Sequence, residues 1–316
     1  MKAAVVAEVG QTPTLVDISE PHPASDETLV EMQAASLNPA DLAIARGVFH
    51  KGHPPLPYVV GLEGVGRIAS SPGGAKVFVY GGGLGVTRNG TAAEWFVAPP
   101  NSLVIDLPDA VDPRMATALG TAGAAGWLPI TWRAATRAED VVLVLGATGT
   151  AGRVALQAAR FAGASRVVAA GRDRRRLEAV APLADASVWL GQDDLPEAFR
   201  TACQSAPTVI YDALFGPPLE AALAVAAPGA RIVQVGSSAG VTATLSSSTV
   251  RGKQLNVFGY SNLGAPRHVF ADAYRTMVDR SIDGSLVLDV AAVPLDDIER
   301  AWAGLQEGSV KYVLVP

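Results

Sequence analysis

The chain has one cysteine and four histidines in 316 residues. With Cys203 alone there is no disulfide framework and no zinc site built from several thiolates. In AFRTACQS, Cys203 reads as a small apolar helix residue. Charge is scarce as well: 17% of residues are charged and the net charge is −5, so the molecule as a whole draws neither nucleic acid nor an anionic membrane. The one basic cluster, Arg172 to Arg176, is too short for a nucleic-acid patch. Long apolar runs are missing too. VVLVLGA is too short to span a bilayer, and MKAAVVAEVG meets Glu8 before a signal-peptide core forms. The expectation is a soluble, cytoplasmic protein without a nucleic-acid or membrane partner.

What is there is mostly apolar. Hydrophobic residues make up 49%, enough for sizeable cores, and the length suits two domains. Two rhythms divide the sequence. Up to about Leu107 it reads as short strands broken by Pro and Gly: MKAAVVAEV, TLVDIS, TLVEMQAAS, VVGLEGVGRIAS, AKVFVYGG, AEWFVAP and SLVIDLP. That pattern suits an antiparallel barrel or sandwich. Small residues in ATALGTAGAAGWLPIT then predict tightly packed helices. From Glu139 aliphatic strands alternate with amphipathic helices, six strands in all, as in a parallel sheet covered on both faces and doubly wound to bind a dinucleotide. After Tyr260 come two helix patterns, HVFADAYRTMVDRSI and LDDIERAWAGLQEG, and a last strand, KYVLVP.

The first strand-to-helix turn is VLVLGATGTAGRVALQ. In place of G-x-G-x-x-G it carries Ala147, Thr148, Gly149, Thr150, Ala151 and Gly152, with Gly146 just before. Gly149 lets the backbone approach a pyrophosphate, Gly152 lets the helix lie on the strand, and the helix N-terminus offers free N–H groups. The second strand ends in RVVAAGRDRRR. An enzyme using NAD usually places Asp or Glu there for the ribose 2′-OH; this chain has Gly171 and then Arg172. Asp173 can cap the next helix, which puts Arg174, Arg175 and Arg176 in its first turn, where cations oppose the helix dipole. A 2′-phosphate would compensate them, so the cofactor expected is NADP(H), with Arg172 and Arg176 among its contacts. A solvated arginine cluster, or Asp173 on a 2′-OH, are the alternatives.

A second glycine-rich stretch, GLEGVGRI from Gly61 to Ile68, runs on into the turn residues Ser70, Ser71, Pro72, Gly73 and Gly74. No helix follows, so it is not a phosphate loop.

A barrel-like first domain, a dinucleotide domain and a tail returning to the first resemble the medium-chain dehydrogenase/reductase superfamily. SLNPADLAIARGVF (Ser36 to Phe49), PPLPYVVGLEGVGRI and VLGATGTAGRVALQAAR resemble its zinc-independent, zeta-crystallin-like quinone oxidoreductase branch, over nearly the whole chain. The resemblance implies a GroES-like antiparallel β-barrel catalytic domain (1–118 and 262–316) and a six-stranded doubly wound Rossmann domain binding NADP(H) (119–261). Zinc-dependent relatives carry a cysteine where this chain has Asn38, G-H-E where it has Gly61, Leu62 and Glu63, and a lobe of four cysteines that it lacks. His50 and His53 are the only close pair of imidazoles, with no thiolate or obvious carboxylate partner, so no metal is expected. Phe49, His50 and Tyr58 are expected at the substrate cleft.

Without a Lewis acid an unactivated alcohol is a poor substrate. Quinones and α,β-unsaturated carbonyls suit better: hydride transfer from NADPH leaves an enolate or phenolate that needs only hydrogen-bond donors. Asn38 is the candidate donor at the domain cleft. The family often has a tyrosine after R-G-x, but here Phe49 follows Arg46, Gly47 and Val48; Tyr260 either substitutes or is a core tyrosine. Asp41 reads as a helix-end or barrel partner and Glu63 as a buried structural carboxylate. Further cofactor contacts are expected from Leu214, Phe215 and Gly216, from Gly236, Ser237 and Ser238, and from Phe258, Gly259 and Tyr260. Lys311 either reaches the cofactor or is exposed. Three functions compete: a quinone or enone reductase, an enoyl reductase of one pathway such as polyketide synthesis, and a non-catalytic NADPH-binding or structural member. The resemblance also implies a homodimer joined through the dinucleotide domains.

Overall fold

A computed structural model describes residues 1–70, 73–308 and 310–316. The turn expected from Ser70 to Gly74 falls partly on Ser71 and Pro72, outside the described residues.

The chain begins with β1 (Lys2–Val6), β2 (Thr14–Asp17), β3 (Thr28–Ser36), α1 (Pro39–Ala45), β4 (Tyr58–Val59), β5 (Glu63–Ile68), β6 (Lys76–Gly81), β7 (Trp95–Ala98), β8 (Ser102–Asp106) and α2 (Pro113–Ala118). It continues through α3 (Ala124–Leu128), β9 (Val141–Leu145), α4 (Thr150–Phe161), β10 (Arg166–Gly171), α5 (Arg174–Val180), β11 (Ala186–Trp189) and α6 (Leu195–Cys203). Next come β12 (Val209–Asp212), α7 (Pro217–Val225), β13 (Arg231–Gln234), α8 (Ser247–Gly252) and β14 (Asn256–Gly259). The last elements are α9 (Arg267–Ile282), β15 (Val290–Pro294), α10 (Ile298–Glu307) and β16 (Lys311–Val315). Two compact units emerge: Met1–Ala122 with Arg267–Pro316, and Gly123–Pro266.

The first unit is built on a sheet ordered β15-β16-β3-β5-β6-β8, with β7 also on β3, and a smaller sheet β2-β1-β4. Pairing is antiparallel except between β15 and β16. β7 and the first part of β3 alternate in burial, one face packing and the other meeting solvent, whereas β1, β5 and β6 are buried along most of their length. Val30, Met32, Val77, Val79, Phe96 and Trp302 share its core. Helix α9 docks by stacking Tyr274 on Phe78 (4.1 Å between centroids) and Phe270 on Tyr80 (4.8 Å), contacts that join large aromatic areas.

The second unit holds a parallel sheet ordered β11-β10-β9-β12-β13-β14. All five residues of β9, VVLVL, are buried, which is why the strand reads as a continuous aliphatic run. Phe199 and Cys203 of α6 and Leu219 and Ala222 of α7 pack with Leu143, Val168, Ile210 and Ile232. Cys203 is fully buried, and burial pushes its thiol up to about 12, so it behaves as the small apolar residue expected. Strand order reverses between β9 and β12, which makes the carboxyl ends of those two strands the switch point where such folds bind ligands.

Candidate functional site

Within the second unit, α4 begins directly after the turn that follows β9. A Cβ on Gly152 would lie 2.2 Å from Gly146 O and 2.8 Å from Ala147 Cα; only glycine lets the helix sit this close to the strand end. Gly149 is the opposite case. A Cβ there would meet only Gly146 O, at 3.7 Å, so space opens beside it. Gly149 is also the N-cap of α4, so the helix start has no capping side chain of its own. Free N–H groups, the positive end of the helix dipole and an open flank together fit a pyrophosphate.

The arginines after β10 have different occupations. Asp173 caps α5, accepting from Arg176 N at 3.1 Å, and it faces Arg176 Nε at 3.6 Å. The Arg174 guanidinium lies 3.9 Å from the centroid of the Trp189 ring, whose Nε1 donates to Arg172 O at 2.8 Å. The side chains of Arg172 and Arg175 are exposed and have no partner among the described residues. Asp173 is committed to its helix, and two cations remain at the strand end.

The other predicted contacts of this unit lie at the carboxyl ends of the strands or on the loops that follow them. Leu214 and Phe215 follow β12, Gly236 and Ser237 follow β13, and Phe258 and Gly259 end β14. The Arg133 guanidinium sits 4.6 Å from the Phe258 ring centroid. Tyr260 is half-buried and its hydroxyl donates to Asn262 Oδ1 at 2.7 Å.

In the first unit a closed polar network surrounds Glu63. The Ser36 hydroxyl and Asn38 Nδ2 donate to its Oε1, Asn38 from 3.0 Å; the Thr121 amide and hydroxyl donate to Oε2, the hydroxyl from 2.8 Å. Gly120 makes this possible, since a Cβ there would lie 2.1 Å from Glu63 Oε2. Lys311 Nζ donates to Leu37 O at 2.9 Å and to Asn38 Oδ1 at 2.6 Å. An ammonium only donates, so this contact fixes which end of the Asn38 amide faces Glu63. Asp41 closes a capping box on α1, accepting from Asn38 N at 2.8 Å, and takes Gly61 N at 3.2 Å. Ser36, Asn38, Asp41, Glu63 and Lys311 are all buried.

Burial is also what moves the charges here. It pushes the Asp41 carboxyl up to about 7, against the pull of the Asn38 amide and of Lys311. It pushes the Lys311 ammonium down to about 8, against the attraction of Glu63 and Asp41. Tyr58 is buried, its hydroxyl has no partner among the described residues, and burial and the Asp41 charge raise its pKa. Phe49 is half-buried and His50 exposed, their rings 4.4 Å apart.

Sequence reasoning brings Asn38, Asp41 and Glu63 to one neighbourhood but misses Ser36 and Thr121 as partners of the carboxylate. For Lys311 the exposed alternative is overturned: the side chain is buried and tied to Asn38. The available signals are a lone Glu inside an aliphatic strand and a Lys opening a buried one.

Residues 24–109 match the alcohol dehydrogenase GroES-like domain, and residues 151–280 the zinc-binding dehydrogenase family. Over 170 residues the chain is 31% identical to the quinone oxidoreductase of Lama guanicoe, covering 51% of this chain and 49% of that one. Over 228 residues it is 29% identical to a mycocerosic acid synthase-like polyketide synthase of Mycolicibacterium smegmatis, covering 70% of this chain and 10% of that protein. The solved quinone oxidoreductase of Thermus thermophilus, also studied in complex with NADPH, superimposes with a TM-score of 0.84 at 25% identity over 100% of both chains. The chain belongs to the medium-chain dehydrogenase/reductase superfamily. Its GroES-like domain and Rossmann-like sheet are those of the superfamily, as the sequence predicts. The chain spans about half the length of the curated quinone oxidoreductase it matches. Among the described residues no helix is long and apolar enough to cross a membrane.

Proposed function

We propose that the protein is an NADPH-dependent, zinc-independent oxidoreductase that reduces quinones or the activated C=C bond of α,β-unsaturated carbonyl compounds. The observation that carries the cofactor assignment is the pair of guanidiniums, Arg172 and Arg175, that have no partner among the described residues at the end of β10, where a carboxylate would serve NAD. The turn from Ala147 to Gly152 takes the pyrophosphate, and Arg172 and Arg175 take the 2′-phosphate, with Arg176 held beside them by Asp173. The chemistry such a cofactor supplies when bound is hydride at its nicotinamide ring.

Zinc independence rests on the donor set. Leu62 presents hydrocarbon where zinc-dependent relatives hold a histidine. Asn38 is spent on Glu63 and Lys311. Substrates already electrophilic at carbon need no Lewis acid, only donors for the oxygen that gains charge. Asn38 and Tyr260 are the proposed donors; each is already hydrogen-bonded, Asn38 to Glu63 and Tyr260 to Asn262, so each would exchange a protein partner for the substrate. The reading takes a small quinone or enone as partner, a homodimer as the assembly and the cytoplasm as the location. An enoyl reductase role is the second reading, favoured by the alignment with a polyketide synthase over 228 residues.

Titrating the protein with NADPH and with NADH, while following the fluorescence of its five tryptophans, tests the cofactor assignment. NADPH should bind about tenfold tighter or more. Equal affinities would sink the 2′-phosphate assignment, and binding of neither would sink the enzyme reading.

A further inference from the structure

Phe215 has φ +58°, a left-handed conformation that a bulky side chain seldom adopts. Gly216 follows at φ +64° and ψ −149°. The surroundings impose this shape. Asp212, fully buried at the end of β12, accepts through Oδ1 from Leu214 N at 3.0 Å and Phe215 N at 2.9 Å. The backbone is zipped to the loop after β13: Val235 N donates to Asp212 O at 2.7 Å and Ala239 N to Leu214 O at 2.8 Å. A glycine at 215 would take the same conformation freely, so the strain is retained together with an aromatic ring.

The loop's place gives that ring a task. Leu214 Cδ2 lies 3.2 Å from where a Cβ on Gly146 would stand, so this loop and the phosphate turn flank the switch point between β9 and β12. On the proposed reading, the 2′-phosphate lies at the end of β10 and the pyrophosphate at the start of α4. The remaining half of the dinucleotide then extends over β12, where Phe215 stands half-buried. We propose that Phe215 is held in its left-handed conformation as an aromatic wall for the nicotinamide half of the cofactor, with Asp212 as the residue that positions it. The inference rests on the dinucleotide reading. The second Asp212 oxygen has no partner among the described residues, so an amide at this position keeps the needed acceptor.

The test compares two ligands on the full-length protein by calorimetry: NADPH, and 2′,5′-ADP, which lacks the nicotinamide half. Phe215→Gly should weaken NADPH about tenfold and leave 2′,5′-ADP unchanged, with a melting temperature within about 5 °C of the wild type's, because the strain relieved offsets the contacts the ring makes with the buried core. Asp212→Ala should weaken NADPH in the same selective way, and Asp212→Asn should restore it. Unchanged NADPH affinity in Phe215→Gly overturns the proposal. So does equal weakening of both ligands, or a fall in melting temperature beyond about 5 °C, which would mark the ring as core packing. A wild-type protein that binds neither ligand fails differently: it removes the dinucleotide reading, and this inference with it.

Discussion

The two polar constellations of this protein differ in what they leave unsatisfied. Around Glu63, four donors meet two carboxylate oxygens, Lys311 fixes the Asn38 amide, and the carboxylate and its inner partners are buried. Around the phosphate turn, Gly149 borders open space, the helix start has no capping side chain, and two arginines lack partners among the described residues. A satisfied buried network rigidifies, whereas unsatisfied donors aimed at open space await a ligand. On the proposed reading the first constellation is a scaffold that holds the donor Asn38 and the second a binding site, so substitutions at Glu63 should be felt chiefly as lost stability and those at the open turn and free arginines as lost affinity.

The largest effect should come from Glu63→Ala, which strands the donors of Ser36, Asn38 and Thr121 and leaves Lys311 with one fewer counter-charge. It should lower the unfolding free energy by about 3–5 kcal/mol in urea titrations; a loss under about 1 kcal/mol would break the distinction.

Acidity should show the scaffold's nature next. Asp41 titrates at about 7 against an ordinary 3.8, so between those values the folded protein binds more protons than the unfolded chain. Its contribution to stability is full below the lower value, falls as pH rises and is gone above the higher one. Lys311 titrates at about 8 against 10.5; its contribution is present above 10.5 and lost as pH falls through 8. Stability measured between pH 4 and 7 should thus decline faster in the wild type than in Asp41→Asn, by at most ~1.4 kcal/mol per pH unit. Parallel curves would show that Asp41 does not titrate in this window.

Two glycines sharpen the comparison within one turn. Gly152→Ala forces a Cβ against Gly146 O and should cost about 1–3 kcal/mol of stability. Gly149→Ala enters open space and should leave stability within about 0.5 kcal/mol while weakening NADPH, because the methyl would occupy the place proposed for the pyrophosphate. If both variants lose stability alike, the turn is ordinary structure.

The smallest effects separate the arginines. Arg172→Ala should weaken NADPH about tenfold and spare NADH. Arg174→Ala, whose guanidinium lies on Trp189, should change the ratio of the two affinities by less than threefold or so. Equal effects of the two variants would mean that the free and stacked arginines are not functionally distinct.

Much of the fold is legible in the sequence because its signals are local. β3 covers TLVEMQAAS as predicted, and five of the six parallel strands announce themselves as apolar runs between helices; β14 is mostly exposed, and the short helix α8 before it, in a serine-rich stretch, is not anticipated. β15 gives no such signal: VAAVP is short, rich in small residues, and ends in proline. The Glu63 network is legible only in part, since Ser36, Glu63, Thr121 and Lys311 approach from distant stretches and no spacing marks their convergence. Phe215 reads as a contact but not as a strained one, because a positive φ at a phenylalanine is imposed by Asp212 and the zipped loops and leaves no local trace.

Turnover tests the central claim most directly. NADPH oxidation should be followed with a simple quinone, an enone, an enoyl thioester and a primary alcohol's aldehyde, before and after a zinc chelator. The account predicts oxidation with the quinone or the conjugated substrates, none with the aldehyde, and no change with chelator. Aldehyde reduction abolished by chelation would contradict it.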